Sequence, residues 1–219
     1  REYRIAVWFD DPVCRVEPDV HALLDNAARA LAEAGATVHY DARPAFTLEK
    51  VFATFSALLQ AALSGGVGFD KIEKYAAATG DSPAANLKRL QAMRHRQWLS
   101  HNERRQQMRR RCEEFFNDWD ILLLPVMPCP AIAHDHSEPL ASRVVAVGNE
   151  QRPYWDLNAW MAPAGACYLP ATVIPVGRVA NGLPVGIQIV AAYLEDRTAL
   201  DLAKYLLQML GGCPRPRGF

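Results

Sequence analysis

The apolar and polar positions of the chain alternate between two periods, and the order in which they do so predicts a mixed α/β fold. Residues 4–9 (RIAVWF) are a short β-rich run closed by Asp10-Asp11-Pro12, which reads as a strand and a turn. Pro18 suits the first turn of a helix. Val20, Leu23, Leu24, Ala27, Ala28 and Leu31 then recur at helical spacing up to a capping Gly35. Residues 37–40 read as a second strand, giving a βαβ unit within about forty residues. The middle of the chain is helical. Residues 48–63 form an apolar helix stopped at Ser64-Gly65-Gly66, and residues 71–78 form a short one. Residues 83–116 form a long Arg-rich stretch with Leu87, Leu90, Met93, Met108, Cys112 and Phe115 on its buried side.

Residues 121–124 are continuously apolar and end at Pro125, as a buried strand would. Proline-rich loops follow to about residue 139. Residues 157–166 predict a short helix interrupted at Pro163, and residues 171–176 and 185–190 predict two strands. In the second, Val185, Ile187 and Ile189 alternate with Gly186 and Gln188, so Gln188 belongs to the face opposite the isoleucines. Asp196 is placed to cap a closing helix with Leu202, Leu206 and Met209 as its stripe. The tail, residues 211–219, reads as turn-rich and frayed. With no repeat and no low-complexity linker, a single unit over residues 1–219 is expected. Its parts are a strand–helix–strand unit (1–45), a helical insert (46–118) and closing strands with a helix (119–219).

Composition narrows the function classes. Half of the 219 residues are hydrophobic, and 24 basic residues balance 24 acidic ones, so no overall field draws the chain to nucleic acid or an anionic membrane. No apolar run approaches the roughly 20 residues that span a bilayer. The chain lacks an initiator Met and enters a strand within three residues, which suggests a start cut from something longer. Five scattered cysteines, with no C-x-x-C among them, fit reduced thiols in a cytoplasmic protein, with a nucleophilic cysteine as the sharper alternative.

Motifs that carry chemistry are nearly absent. His134-Asp135-His136 has metal-tract spacing, but no further His or Cys cluster completes a site, so a solvated loop and no metal or cofactor are expected. The arginines at 94, 96, 104, 105, 109, 110 and 111 are interspersed with carboxylates and lack aromatic interleaving, which favours a solvated helix face. Asp10-Asp11-Pro12 would repel a phosphate after the first strand. Ser64-Gly65-Gly66 follows a helix rather than forming a strand-to-helix elbow, and no G-x-S-x-G, H-E-x-x-H or P-loop occurs.

The closing third is specific. Trp119-Asp120-Ile121-Leu122-Leu123-Leu124-Pro125-Val126-Met127-Pro128, Leu169-Pro170-Ala171-Thr172-Val173-Ile174-Pro175-Val176-Gly177 and Asn181-Gly182-Leu183-Pro184-Val185-Gly186-Ile187-Gln188-Ile189-Val190 resemble the C-terminal half of the amidase signature family. Asp196-Arg197-Thr198-Ala199-Leu200 is similar to the start of that family's last helix. The resemblance implies a central mixed sheet wrapped by helices and hydrolysis of a small-molecule carboxylic amide. The chemistry would use a serine nucleophile, a second serine and a lysine base. All three lie N-terminal to the region matched, so no catalytic residue is carried over and the chain alone is expected to be inactive. Ser56, Ser64, Ser82, Ser100, Ser137 and Ser142 each stand without a neighbouring serine.

The resemblance further implies that Met127, Trp155, Asn158, Trp160 and Met161 line a substrate pocket, with the alternative that the aromatics are core. This bulky apolar set suggests a neutral or aromatic acyl group. Leu169 stands where many relatives have glycine, which affects the substrate subgroup. An exposed sheet edge is expected to seek the missing N-terminal half or a second copy. The alternatives are a small thiol enzyme using Cys167 and a non-catalytic half-fold subunit or interaction module.

Overall fold

The computed structural model describes residues 2–212. Its core is a five-stranded mixed sheet in the order β2-β1-β3-β7-β6, formed by β1 (Arg4–Val7), β2 (Thr37–His39), β3 (Ile121–Pro125), β6 (Ala171–Arg178) and β7 (Pro184–Val190). β2, β1 and β3 run parallel, and β7 and β6 complete the sheet antiparallel. The early strand–helix–strand reading holds: α1 (Pro18–Glu33) connects the parallel pair β1 and β2, and Gly35 follows it at φ 96°. β3 is buried at every position, because both faces of this central strand are covered.

α1 and α7 (Asp196–Met209) pack on β6 and β7. Ile174, Ile187 and Ile189 are buried. Contact with α1 is close at Gly177, where β6 shifts register. A Cβ there would lie 2.7 Å from Leu23 Cδ2, and the backbone φ of 154° already favours glycine. The helical middle comprises α2 (Leu48–Leu63), α3 (Phe69–Ala76), α4 (Pro83–Gln91) and α5 (His95–Asp118). α2 and α5 pack against one another and against α6 (Ala162–Cys167). α2 starts where the Thr47 hydroxyl accepts from Lys50 N, and α4 starts where Ser82 accepts from Ala85 N.

Several boundaries differ from the sequence expectation for local reasons. The long Arg-rich stretch divides at residues 92–94, and Met108, Cys112 and Phe115 are buried on α5 alone. Pro163 does not interrupt a helix: it sits in the first turn of α6, where a missing N–H costs nothing, after the 3-10 segment Tyr154–Met161. Asp196 is the first residue of α7 rather than its cap. Glu195 holds the cap position and accepts from the Thr198 hydroxyl. A small hairpin, β4 (Val144–Val147) with β5 (Glu150–Pro153), lies between the proline-rich loops and residue 157, where the sequence pattern predicts no element. Of the tail expected to fray, residues 213–219 lie outside the described residues.

Candidate substrate-facing site

The alternation along β7 has a direct structural result. Gln188 is buried on the face opposite the isoleucines, and its Nε2 donates to the carbonyl oxygens of Pro125 at 3.3 Å and Trp160 at 3.1 Å. One side chain therefore ties the end of β3 to the end of the 3-10 segment. Met127, two residues beyond Pro125, and Met161, next to Trp160, are both partly exposed near these anchors. Val126 and Val173 flank Gly186 on the same face. β6 is an edge strand, with Val173 53% exposed.

The second feature is a cavity of about 980 Å³ between α2, α4, the start of α5 and the 3-10 segment. Phe52, Leu87, Leu90 and Trp155 contribute apolar surface to it. Trp155 is fixed there: its indole N–H donates to Ser56 Oγ at 2.9 Å, and Asn158 Nδ2 donates to its carbonyl at 3.0 Å. Below it, Gln91 Nε2 donates to Gln60 Oε1 at 2.7 Å. Asp156, also on the wall, is neutralised by Arg152 at 3.1 Å.

The residues named from sequence thus separate. Trp155 faces the cavity, Asn158 supports it, and Met127 and Met161 lie at the Gln188 tie. Trp160 belongs elsewhere. It is 0% exposed, meets Trp8 edge-to-face at 5.9 Å, and donates from its indole to the Cys14 carbonyl at 3.1 Å. It is a core residue, so the pocket assignment of Trp160 is corrected. Sequence reading passed over Gln188 and Ser56 as site residues, and Gln60 and His101 altogether. Ser56 and Gln60 carried a signal, two polar positions four apart in the otherwise apolar stretch 55–63.

Among the described residues no group of three His, Cys, Asp or Glu is placed to hold a metal. His134 and His136 are exposed, with ring centroids 6.0 Å apart. Cys14, Cys112 and Cys129 are poorly suited to nucleophilic work. Burial pushes Cys14 up to about 12 and Cys129 up to about 11, and the hydrogen bond with Cys167, added to burial, raises Cys112 further. Iodoacetamide at about pH 8 is therefore expected to leave Cys14, Cys112 and Cys129 unmodified in the folded chain and to label them after denaturation. Labelling of any of the three in native protein, read by peptide mass spectrometry, would overturn this.

Comparison with known proteins places this architecture. The family profile described as Amidase matches residues 1–200. The chain belongs to the amidase family. Over 109 residues it is 33% identical to fatty-acid amide hydrolase 2 of Homo sapiens, a match covering 49% of this chain and 18% of that protein. Over 97 residues it is 31% identical to a glutamyl-tRNA(Gln) amidotransferase chain of Archaeoglobus fulgidus, covering 44% of this chain and 18% of the relative. Among solved structures, one described as an amidase aligns with TM-score 0.71 and 21% identity over 95% of this chain and 46% of its own. A 6-aminohexanoate cyclic dimer hydrolase complexed with substrate aligns with TM-score 0.66 and 23% identity over 99% of this chain and 47% of its own. These likenesses establish the shared fold, and the chain spans just under half the length of those two solved chains. No helix among the described residues is long and apolar enough to cross a membrane.

Proposed function

We propose that this chain is the C-terminal part of a cytoplasmic amidase that hydrolyses a small-molecule carboxylic amide with a Ser-Ser-Lys constellation lying outside residues 1–219. The observation that carries the reading is the family match over residues 1–200, joined to a cavity walled by Trp155. Four of the six serines have other work. Ser56 accepts from Trp155, Ser64 and Ser142 donate to Ala61 and Pro139 carbonyls, and Ser82 caps α4.

In the whole protein the serine attacks the amide carbonyl while the lysine takes its proton through the second serine. Backbone N–H groups stabilise the oxyanion, the lysine returns the proton to the departing amine, and water then cleaves the acyl-serine to release the carboxylic acid and free the serine. Residues 1–219 act as one unit in this scheme and supply the substrate-facing wall: the Trp155 cavity with Asn158, and the Met127 and Met161 end held by Gln188. The open β6 edge is where we place the remaining part of the protein or, without it, a second copy.

The test is release of p-nitroaniline from the anilide of hexanoic acid. Residues 1–219 alone are expected to give none above background, and the protein from the extended reading frame is expected to turn the substrate over. Turnover by the isolated chain, abolished by thiol alkylation, would replace this reading with the cysteine enzyme.

A further inference from the structure

A smaller cavity of about 250 Å³ opens where α5 meets two turns, one between α6 and β6 and one between β7 and α7. It shares no lining residue with the Trp155 cavity. On its wall Arg109, Glu113 and Asn117 follow one another at four-residue spacing along α5, while Phe116, Leu169 and Tyr193 give it apolar surface. Its size falls just under the roughly 300–1,000 Å³ of drug-sized ligand sites, which limits an occupant to a small molecule.

Arg109 is fixed in place by aromatic rings. Its guanidinium carbon lies 5.0 Å from the Tyr168 ring centre and 5.1 Å from that of Tyr193, and its Nη1 donates to Gln106 Oε1 at 3.1 Å. The Arg105 guanidinium meets the same Tyr168 ring at 4.6 Å. Tyr168 ends α6 at φ 60° and ψ 34°, the left-handed cap position that glycine usually fills because a Cβ there is strained. Such strain gathers at ligand clamps, and here it keeps in place a ring that holds two arginines. Leu194, directly after Tyr193, is the other non-glycine residue at positive φ among the described residues.

The two charges on this wall are unmatched: among the described residues neither Arg109 nor Glu113 belongs to an ion pair. They stand four apart with the arginine first, the less favourable order for a helix pair, and the tyrosines set where the guanidinium sits. A ligand that is only an anion gains at Arg109 and is repelled by Glu113, and a ligand that is only a cation meets the reverse. A zwitterion satisfies both, with its carboxylate on the guanidinium fork. We infer that this cavity binds a small α-amino acid with an apolar side chain, its carboxylate on Arg109, its ammonium on Glu113 and its side chain against Phe116 and Leu169. None of these residues enters the amide-cleaving scheme, so the site stands whether or not that scheme does.

The test compares leucine with its two halves. L-Leucine, 4-methylpentanoate, which lacks the ammonium, and 3-methylbutylamine, which lacks the carboxylate, are titrated into the 219-residue chain labelled with 3-fluorotyrosine. The fluorine resonances of Tyr168 and Tyr193 are followed, assigned with Tyr168→Phe and Tyr193→Phe. Leucine is expected to shift both saturably and to bind at least about tenfold more tightly than either analogue. Glu113→Gln is expected to erase the preference for leucine over 4-methylpentanoate, and Arg109→Gln the preference over 3-methylbutylamine. Glu113 is exposed, so its variant folds without a core change and decides alone should Arg109→Gln fail to fold. Equal binding of leucine and either analogue to the parent, a preference over 4-methylpentanoate that survives Glu113→Gln, or no saturable shift with leucine would overturn the inference.

Discussion

Trp160→Ala is expected to lower folding stability by about 3–5 kcal/mol, a large share of the roughly 5–15 kcal/mol available to a domain. Burial and two contacts add to this effect. The indole is wholly buried, its edge-to-face contact with Trp8 is lost, and the Cys14 carbonyl loses its donor inside the core. The neighbours on α6, Ala162, Ala164 and Ala166, are small and buried, so little side chain is available to fill the space. Trp155→Ala is the contrast: its ring is only half-buried on a cavity wall, and its removal is expected to alter ligand binding far more than the urea midpoint. Urea unfolding of both variants, followed by circular dichroism, measures the difference. A loss below about 1 kcal/mol for Trp160→Ala would return that residue to the pocket.

The contrast between these two tryptophans marks how far the sequence was legible. β3 and β7 could be read directly, one from an unbroken apolar run and the other from strict alternation that also placed Gln188 on its face. Residues 154–161 could not, because a 3-10 segment lacks the 3.6-residue stripe by which burial is inferred. Trp155 and Trp160 stand in the same kind of local sequence, and only the tertiary positions of Ser56 and Cys14 separate them. The β4–β5 hairpin was missed for a related reason. Val144–Val147 is apolar, but Glu150–Pro153 carries three polar residues and a proline, so the pair shows no shared alternation despite the Gly148-Asn149 turn between them. The cavity was least legible of all. It is assembled from α2, α4 and α5, and the 56 and 60 positions of an apolar helix acquire meaning only once Trp155 and Gln91 are brought against them.

Gln188 provides the second large effect, and pH separates its causes. Its amide N–H groups face two carbonyl oxygens, so Gln188→Glu replaces a donor with a group that is acceptor-only when ionised. Burial and the facing carbonyls both disfavour the charged form and raise the pKa of the introduced carboxyl in the folded state. In the unfolded chain that carboxyl titrates near about 4.3. Below this value both states are protonated, the acid O–H still donates to one carbonyl, and the loss relative to the parent is expected to be about 1 kcal/mol. Above it the unfolded state releases its proton first, and the penalty grows by about 1.4 kcal/mol per pH unit until the folded pKa is reached. A shift of about three units gives a penalty near 4 kcal/mol at neutral pH. Gln188→Leu removes the same two bonds without adding charge, so its cost is expected to be about 2 kcal/mol and flat with pH. Urea midpoints of the parent and both variants, measured as differences at each pH, test the argument. A pH-independent difference for Gln188→Glu would mean that the introduced carboxylate finds solvent, and that Gln188 does not close the sheet end between Met127 and Met161.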